Sequence, residues 1–227
     1  MNVLIACEES QAVCIEFRKR GHIAFSSDIQ KCSGGHPEWH IVGSCFDVIN
    51  GGMFVTESGE LIEIKKWDML IGHPPCTYLS FVGERWFDYK YFPKNLDSWI
   101  KRFEAAEFFV EMWNCGIEKI CLENPMGWIN AILPHTQIIH PYYFGDECSK
   151  RTCLWVKGLP PLLHTKIEGN LFGDEKTHVF KGEMSKNGSG SEALFGLHTL
   201  ALSQQERSKL RSKTFPGIAK SMAYQWG

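Results

Sequence analysis

The chain opens almost at once on a short apolar run without alternation, Val3-Leu4-Ile5-Ala6-Cys7, and that run constrains the fold more than any other stretch. A strand that is apolar on both faces must be covered on both faces, as a central strand of a parallel sheet is. The next twenty residues agree. Ala12, Val13, Glu16, Phe17 and Arg20 fall at helical spacing before Gly21, and His22 to Ser26 reads as a second strand ending in Asp28. The opening is therefore a βαβ unit.

The connection 30–66 holds clustered glycines and the polar stretch Thr56 to Lys66, which predicts a hairpin or excursion. Trp67-Asp68-Met69-Leu70-Ile71 predicts another buried strand, broken sharply at Gly72-His73-Pro74-Pro75-Cys76. Across 96–113, Trp99, Phe103, Ala106, Phe109, Val110 and Trp113 recur at helical spacing. Ile117 to Leu122 predicts the next strand, stopped by Glu123-Asn124-Pro125, and Cys153 to Val156 a later one before a turn at Gly158 to Pro161. The stretch around KNGSGS reads as a flexible loop over 181–196, and Ser203 to Lys213 as a basic, helix-prone segment. Strands alternating with helices predict an α/β fold, Rossmann-like, with a mainly parallel sheet and helices on both faces.

A length of 227 residues suits one such domain with a small appendage. The 24 basic and 26 acidic side chains give a net charge of -2, so any nucleic-acid contact must come from a local patch rather than from global charge. The nine cysteines are odd in number and form no Cys-x-x-Cys pair, which argues against a disulfide framework or a zinc ribbon. With no run near the ~20 apolar residues of a membrane span, the expected setting is a reducing cytoplasm away from membranes.

In open parallel sheets ligands bind outside the carboxyl ends of the strands, so the residues just after each strand are the candidates for chemistry. They are Cys7 to Ser10, Asp28, His73 to Thr77, and Glu123 to Pro125. Cys76 follows two prolines, which stiffen the backbone that presents its thiol; the alternative is a buried structural thiol. Glu123 would face the same crevice, or else serve as a cap or ion-pair partner for the turn after it. A nucleophilic cysteine beside a carboxyl group matches covalent attack on an electron-poor ring with protonation of a ring nitrogen, as in pyrimidine chemistry.

With the opening VLIACEES, Asp28 after the second strand, GHPPCTYLS, ENP, SKRTCLWVKGLPPL and TFPGIAKSMAYQWG in that order, the sequence resembles the cytosine-5 DNA methyltransferase family, in particular its short phage and prophage methyltransferase-like members. The resemblance implies a methyltransferase fold that uses S-adenosylmethionine, with 1–160 as the catalytic core, 161–205 as a reduced insertion and 206–227 as a closing motif that returns to the core. It assigns catalysis to Cys76, attacking carbon 6 of cytosine, to Glu123, protonating N3, and to Arg151. Cofactor contacts fall to Ala6, Cys7, Glu8, Glu9, Ser10, Asp28, Ser44, Pro74 and Gly217, with Phe215 to Ala219 packing alongside. Substrate contacts fall to Pro75, Thr77, Ser80, Asn124 and Lys150.

Three features depart from the family pattern. The first loop lacks glycine and carries two carboxylates, so Glu8 or Glu9 pairs with the methionine ammonium or caps the next helix. In the third motif the nearest acid to Ser44 is Asp47. Only about sixty residues separate the basic segment from the closing motif, too few for an independent sequence-reading domain. The expected partner is DNA, single-stranded or loosely recognised duplex, or a cytosine nucleotide. Two alternatives stay open: pyrimidine modification of a mononucleotide or with another transferred group, and a non-catalytic binding module on the same scaffold. Lys157, Lys209, Arg211 and Lys213 would join Lys150 and Arg151 on phosphates or form a solvated face, and the aromatics of 78–81 and 86–87 would stack on a base or pack. Cys32, His36, His40 and Cys45, and the looser set His135, His140, Cys148 and Cys153, match no familiar zinc pattern, so no metal is expected.

Overall fold

A computed structural model of the chain describes residues 1–81, 84, 87–146, 150–164 and 213–227. Most of the expected insertion 161–205, the loop 181–196, and nearly all of the basic segment Ser203 to Lys213, with Lys209 and Arg211, lie outside the described residues.

The opening run forms β1 (Asn2–Ala6), and α1 (Ala12–Lys19) and β2 (Ile23–Asp28) come next. The connection 30–66 contains a third strand, β3 (His40–Val42), and a hairpin of β4 (Gly52–Val55) and β5 (Leu61–Ile64). The chain then returns to β6 (Met69–Gly72), α2 (Leu96–Trp113) and β7 (Lys119–Pro125). A single-turn α3 (Ile129–Ile132), β8 (Gln137–Ile139), β9 (Thr152–Lys157) and α4 (Pro216–Trp226) complete the described elements. Among these, seven strands form one mixed sheet in the order β3-β2-β1-β6-β7-β9-β8. Strands β1, β2, β3, β6 and β7 run parallel, while β9 is antiparallel to both β7 and β8. The architecture is compatible with a Rossmann-like fold, and the order reverses between β1 and β6, where such sheets place their ligand crevice.

Alternation along the central strands feeds two cores. Leu4, Leu70, Leu122 and Trp155 point to one face, under Ala106, Phe109 and Met112 of α2 and Phe54 and Ile64 of the hairpin. Val3, Ile5, Ile71 and Leu154 point to the other, under Val13 and Phe17 of α1 and Ile218, Met222 and Trp226 of α4. Each such side chain taken out of water contributes about 1.5–3 kcal/mol, and the strands are apolar on both faces because both are covered. No helix among the described residues is long and apolar enough to cross a membrane.

Two expectations are corrected. Glu123-Asn124-Pro125 does not stop β7 but extends it, pairing with Leu154, Cys153 and Thr152 of β9, and the proline falls at the last residue, where its missing N–H is tolerated. The sheet is mainly parallel, as expected, with β9 antiparallel to its neighbours at that edge. In α2 the buried stripe is Arg102, Ala106, Phe109 and Met112, whereas Phe103, assigned to the apolar face, is 58% exposed.

Trp155 is fully buried, donates its indole N–H to the Leu133 carbonyl at 2.7 Å and meets Phe109 edge-on. Trp155→Ala is expected to cost about 3–5 kcal/mol, read as a lower urea midpoint at unchanged slope. A loss under about 1 kcal/mol would contradict this packing.

Candidate functional site

Register alone brings the predicted strand ends together. Ala6 lies opposite Ser27 of β2 and Gly72 of β6, and Gly72 lies opposite Leu122 of β7. One residue further on, Asp28, Cys7, His73 and Glu123 stand in a row across the carboxyl edge of the sheet.

The Cys76 turn is tied to the end of β7 by backbone geometry that the sequence supplies. Fully buried Asn124 donates its amide to the Pro74 carbonyl at 2.7 Å. Ser80 forms an isolated bridge with Gly127, Trp128 N–H donates to the Leu79 carbonyl at 2.7 Å, and Phe81 N–H donates to Met126. A Cβ at Gly127 would sit 1.9 Å from the Leu79 carbonyl oxygen, so only glycine lets the two segments approach this closely. The turn closes on itself through Leu79 and Ser80 N–H groups donating to the Cys76 carbonyl, and Pro75, Cys76 and Thr77 are exposed at its tip.

A second anchor comes from Arg102. Its fully buried guanidinium makes two hydrogen bonds to Glu84 at 3.2 and 2.9 Å, donates to the Tyr78 carbonyl at 3.0 Å and lies 3.3 Å from the Phe87 ring centroid. An arginine is almost never fully buried unless paired, and here the pairing fastens the segment after Cys76 to α2.

Glu123, its side chain 15% exposed, accepts a hydrogen bond from His73 Nδ1 at 3.1 Å, and His73 is itself only 7% exposed. Burial favours the neutral carboxyl, but the His73 bond and the charges of Lys150 and His73 outweigh it and hold Glu123 below its ordinary value. Burial likewise opposes charge on His73, yet the bond to Glu123 and the charges of Glu123 and Glu8 raise its pKa, against the opposing charge of Lys150. His73 Nε2 is buried with no hydrogen-bond partner among the described residues, as is Asn124 Oδ1. Leaving such an atom unpaired costs about 1–3 kcal/mol.

Other candidates take structural roles. Glu8 caps α1, accepting from Val13 N–H at 2.7 Å and Cys14 N–H at 3.2 Å, so its carboxylate is committed to the helix rather than left for an ammonium. Glu9 is buried and close enough to raise the pKa of both Glu8 and Asp28. Ala6 is a core residue whose carbonyl accepts from His73 N–H, and Pro74 is buried against Asn124, so neither side chain is presented to a ligand. Cys7 adopts φ 59°, turning the chain without glycine, and packs toward the core. Asn124 is a brace for the cysteine turn, not an open substrate contact. Ser10 lies beside Gly34, Ser80 bridges Gly127, and Ser44 accepts from Phe46 N–H at 3.3 Å.

Asp28 is half-buried, its Oδ1 accepting from Gln30 N–H, and burial raises its pKa. Lys150 reaches toward Glu123 electrostatically and stands 5.9 Å from the Phe215 ring centroid, while Arg151 is exposed beside β9. Gly217 N–H donates to Asp146 at 3.0 Å, and a Cβ there would meet the Phe144 carbonyl at 2.3 Å, so the closing motif seats on 144–146 through that glycine. Lys157 donates to the Trp113 carbonyl at the end of α2, a structural bond rather than a phosphate contact. Among the described residues no three His, Cys, Asp or Glu side chains gather as a metal site would require. Both nitrogens of His40 are engaged, by Ser26 and by the Gln30 carbonyl. Cys148 lies outside the described residues.

His73 was a sequence candidate only as the first residue of the strand end His73 to Thr77, with no role of its own, and Arg102 and Gly127 were not singled out. A histidine in the strand-end motif GHPPC and a charge set inside an apolar helical stripe were the available signals for the first two. Neither a scan against protein-family models nor a search of curated proteins finds a match.

Asn124→Ala would leave the Pro74 carbonyl without its donor and is expected to cost about 1–3 kcal/mol, seen as a lower thermal midpoint with faster alkylation of Cys76. An unchanged midpoint and alkylation rate would remove the brace. The His73–Glu123 pair also sets a pH signature. His73, raised from its ordinary 6.5, contributes stability in full below that value and loses it as pH rises through the folded-state value. Glu123, lowered from 4.5, contributes above that value and loses it as pH falls through the folded one. The difference in unfolding free energy between wild type and His73→Gln should therefore be largest between pH 4.5 and 6.5 and shrink on the alkaline side. A difference constant with pH would contradict the pairing.

Proposed function

We propose that this protein is an S-adenosylmethionine-dependent enzyme that methylates carbon 5 of cytosine, in single-stranded or loosely recognised duplex DNA, through a covalent bond to Cys76. The observation that carries the reading is the tie between an exposed cysteine on a stiff double-proline turn and the neighbouring strand that bears a largely buried carboxyl group.

The residues at the crevice fit the cofactor's chemistry. A half-buried carboxylate at the tip of β2 suits a ribose diol, which offers two hydroxyl donors, and Glu9 places a second buried acid nearby for a positively charged ligand group. When bound, S-adenosylmethionine would supply an electrophilic methyl group for carbon 5. The chain's own residues would do the rest. The Cys76 thiolate bonds to carbon 6, a ring electron pair moves to N3, and the proton N3 takes up arrives through Glu123. Once carbon 5 carries the methyl group, transfer of its proton to a base would re-form the ring double bond and expel the sulfur. Lys150, beside Glu123 and Phe215, supplies positive charge where a nucleotide phosphate or the activated ring would lie.

The test is transfer of an isotope-labelled methyl group to single-stranded DNA, duplex DNA and cytidine nucleotides. Cys76→Ala is expected to abolish incorporation and Glu123→Gln to reduce it about 10²–10³-fold, with label in 5-methylcytosine. Transfer unaffected by Cys76→Ala would overturn the covalent mechanism, and incorporation only into free nucleotides would exclude DNA as the substrate.

A further inference from the structure

The His73–Glu123 contact has a part to play that capping or packing does not explain. His73 comes directly after β6, its backbone N–H is fixed to the Ala6 carbonyl at 2.9 Å, and its Nδ1 is held 3.1 Å from the Glu123 carboxylate on the adjacent strand. Parallel register at Gly72 and Leu122 fixes that separation, so the pair is built into the sheet edge rather than formed by flexible loops. The imidazole's other nitrogen is buried and has no hydrogen-bond partner among the described residues. A nearly enclosed imidazole bonded to a carboxylate on one side and unsatisfied on the other marks a position that a ligand or a moving proton completes.

We propose that His73 and Glu123 act as one acid, sharing a single transferable proton that is delivered through Glu123 to N3 of the bound base, with His73 as the positioning and proton-holding partner. The inference rests on the cytosine reading and deepens it by naming the proton's source. In the resting pair, imidazolium faces carboxylate. As sulfur bonds to carbon 6 and an electron pair moves to N3, the carboxylate takes the proton from Nδ1 and hands that same proton on to N3. The net change is that imidazolium becomes imidazole, N3 gains a proton and the carboxylate ends as it began. When the sulfur leaves, N3 returns the proton by the same route, so the pair is restored without an external acid.

The charges facing the pair determine where that proton rests. Glu8, from the turn between β1 and α1, favours the imidazolium, while Lys150, ahead of β9, disfavours it and favours the carboxylate. The Cys121 and Cys153 thiols lie near Glu123, and burial, with a smaller contribution from the Glu123 charge, raises the pKa of both, so they are neutral neighbours.

The experiment combines a titration with a pH profile. In ¹⁵N-labelled protein, the imidazole signal missing from His73→Gln should titrate above 6.5 in the wild type and fall by at least about one pH unit, tenfold in proton affinity, in Glu123→Gln. His73→Asn keeps an N–H donor near the Nδ1 position but cannot carry a spare proton. It should retain wild-type KM for a cytosine-bearing oligonucleotide within about twofold while losing about 10²-fold or more in kcat, with the pH dependence of kcat altered. A His73 titration indifferent to Glu123→Gln, or His73→Asn with wild-type kcat across the pH range, would overturn the shared proton. If the wild type transfers no methyl group at any pH, the methyltransferase reading fails, and the titration alone then decides the proton-sharing claim.

Discussion

The site depends on one hydrogen bond and the close backbone approach beside it. The Asn124 amide, fixed at the end of β7, holds the Pro74 carbonyl, and the 79–81 segment lies against 126–128 with only a glycine between them. These contacts turn two strand ends, which register would merely bring near, into one rigid rim. Prolines limit the turn's own freedom, Arg102 fastens its far side, and the thiol is left at the exposed tip. A side chain presented this way has lost most of its backbone's conformational entropy during folding.

Electrostatics divides the edge into two halves with different tasks. Around β1 and β2 lie Glu8, Glu9 and Asp28, but Glu8 is spent on the α1 N-terminus, where backbone N–H groups and the helix dipole favour an acid. Buried Glu9 and half-buried Asp28 are the other acids of this half. Around β7 the balance is reversed, because His73 and Lys150 surround the one carboxylate and keep it ionised despite its burial. An acid half beside a half of mixed sign is what a cationic, ribose-bearing cofactor and an electron-poor ring would respectively require.

Much of this was legible in the sequence because the central strands must be apolar on both faces. Val3 to Ala6, Met69 to Ile71 and Ile120 to Leu122 announce themselves as buried runs, and the helix over 96–113 has the bounds its periodicity predicts. Placing Cys76, Asp28 and Glu123 at one edge came from the rule that parallel strands share a carboxyl side. The short strands β3 and β8, three residues each, carry too little pattern to be seen. Arg102 was missed because an apolar stripe was traced through hydrophobic residues alone, although 99, 102, 106 and 109 share the same spacing. The extension of β7 through ENP was hidden because proline reads locally as a strand breaker, while pairing with the later strand β9 is a long-range contact.

In the proposed reaction Cys76 and Glu123 address the same pyrimidine ring. This is tested most directly with an oligonucleotide carrying 5-fluorocytosine, whose carbon 5 cannot lose a proton, so that the sulfur–carbon bond stays closed after methylation. Mass spectrometry of the digested complex, formed with S-adenosylmethionine present, should find the adduct on the peptide containing Cys76, with its yield strongly reduced in Glu123→Gln. An adduct on a different cysteine, or none with a folded protein that retains cofactor binding, would contradict it.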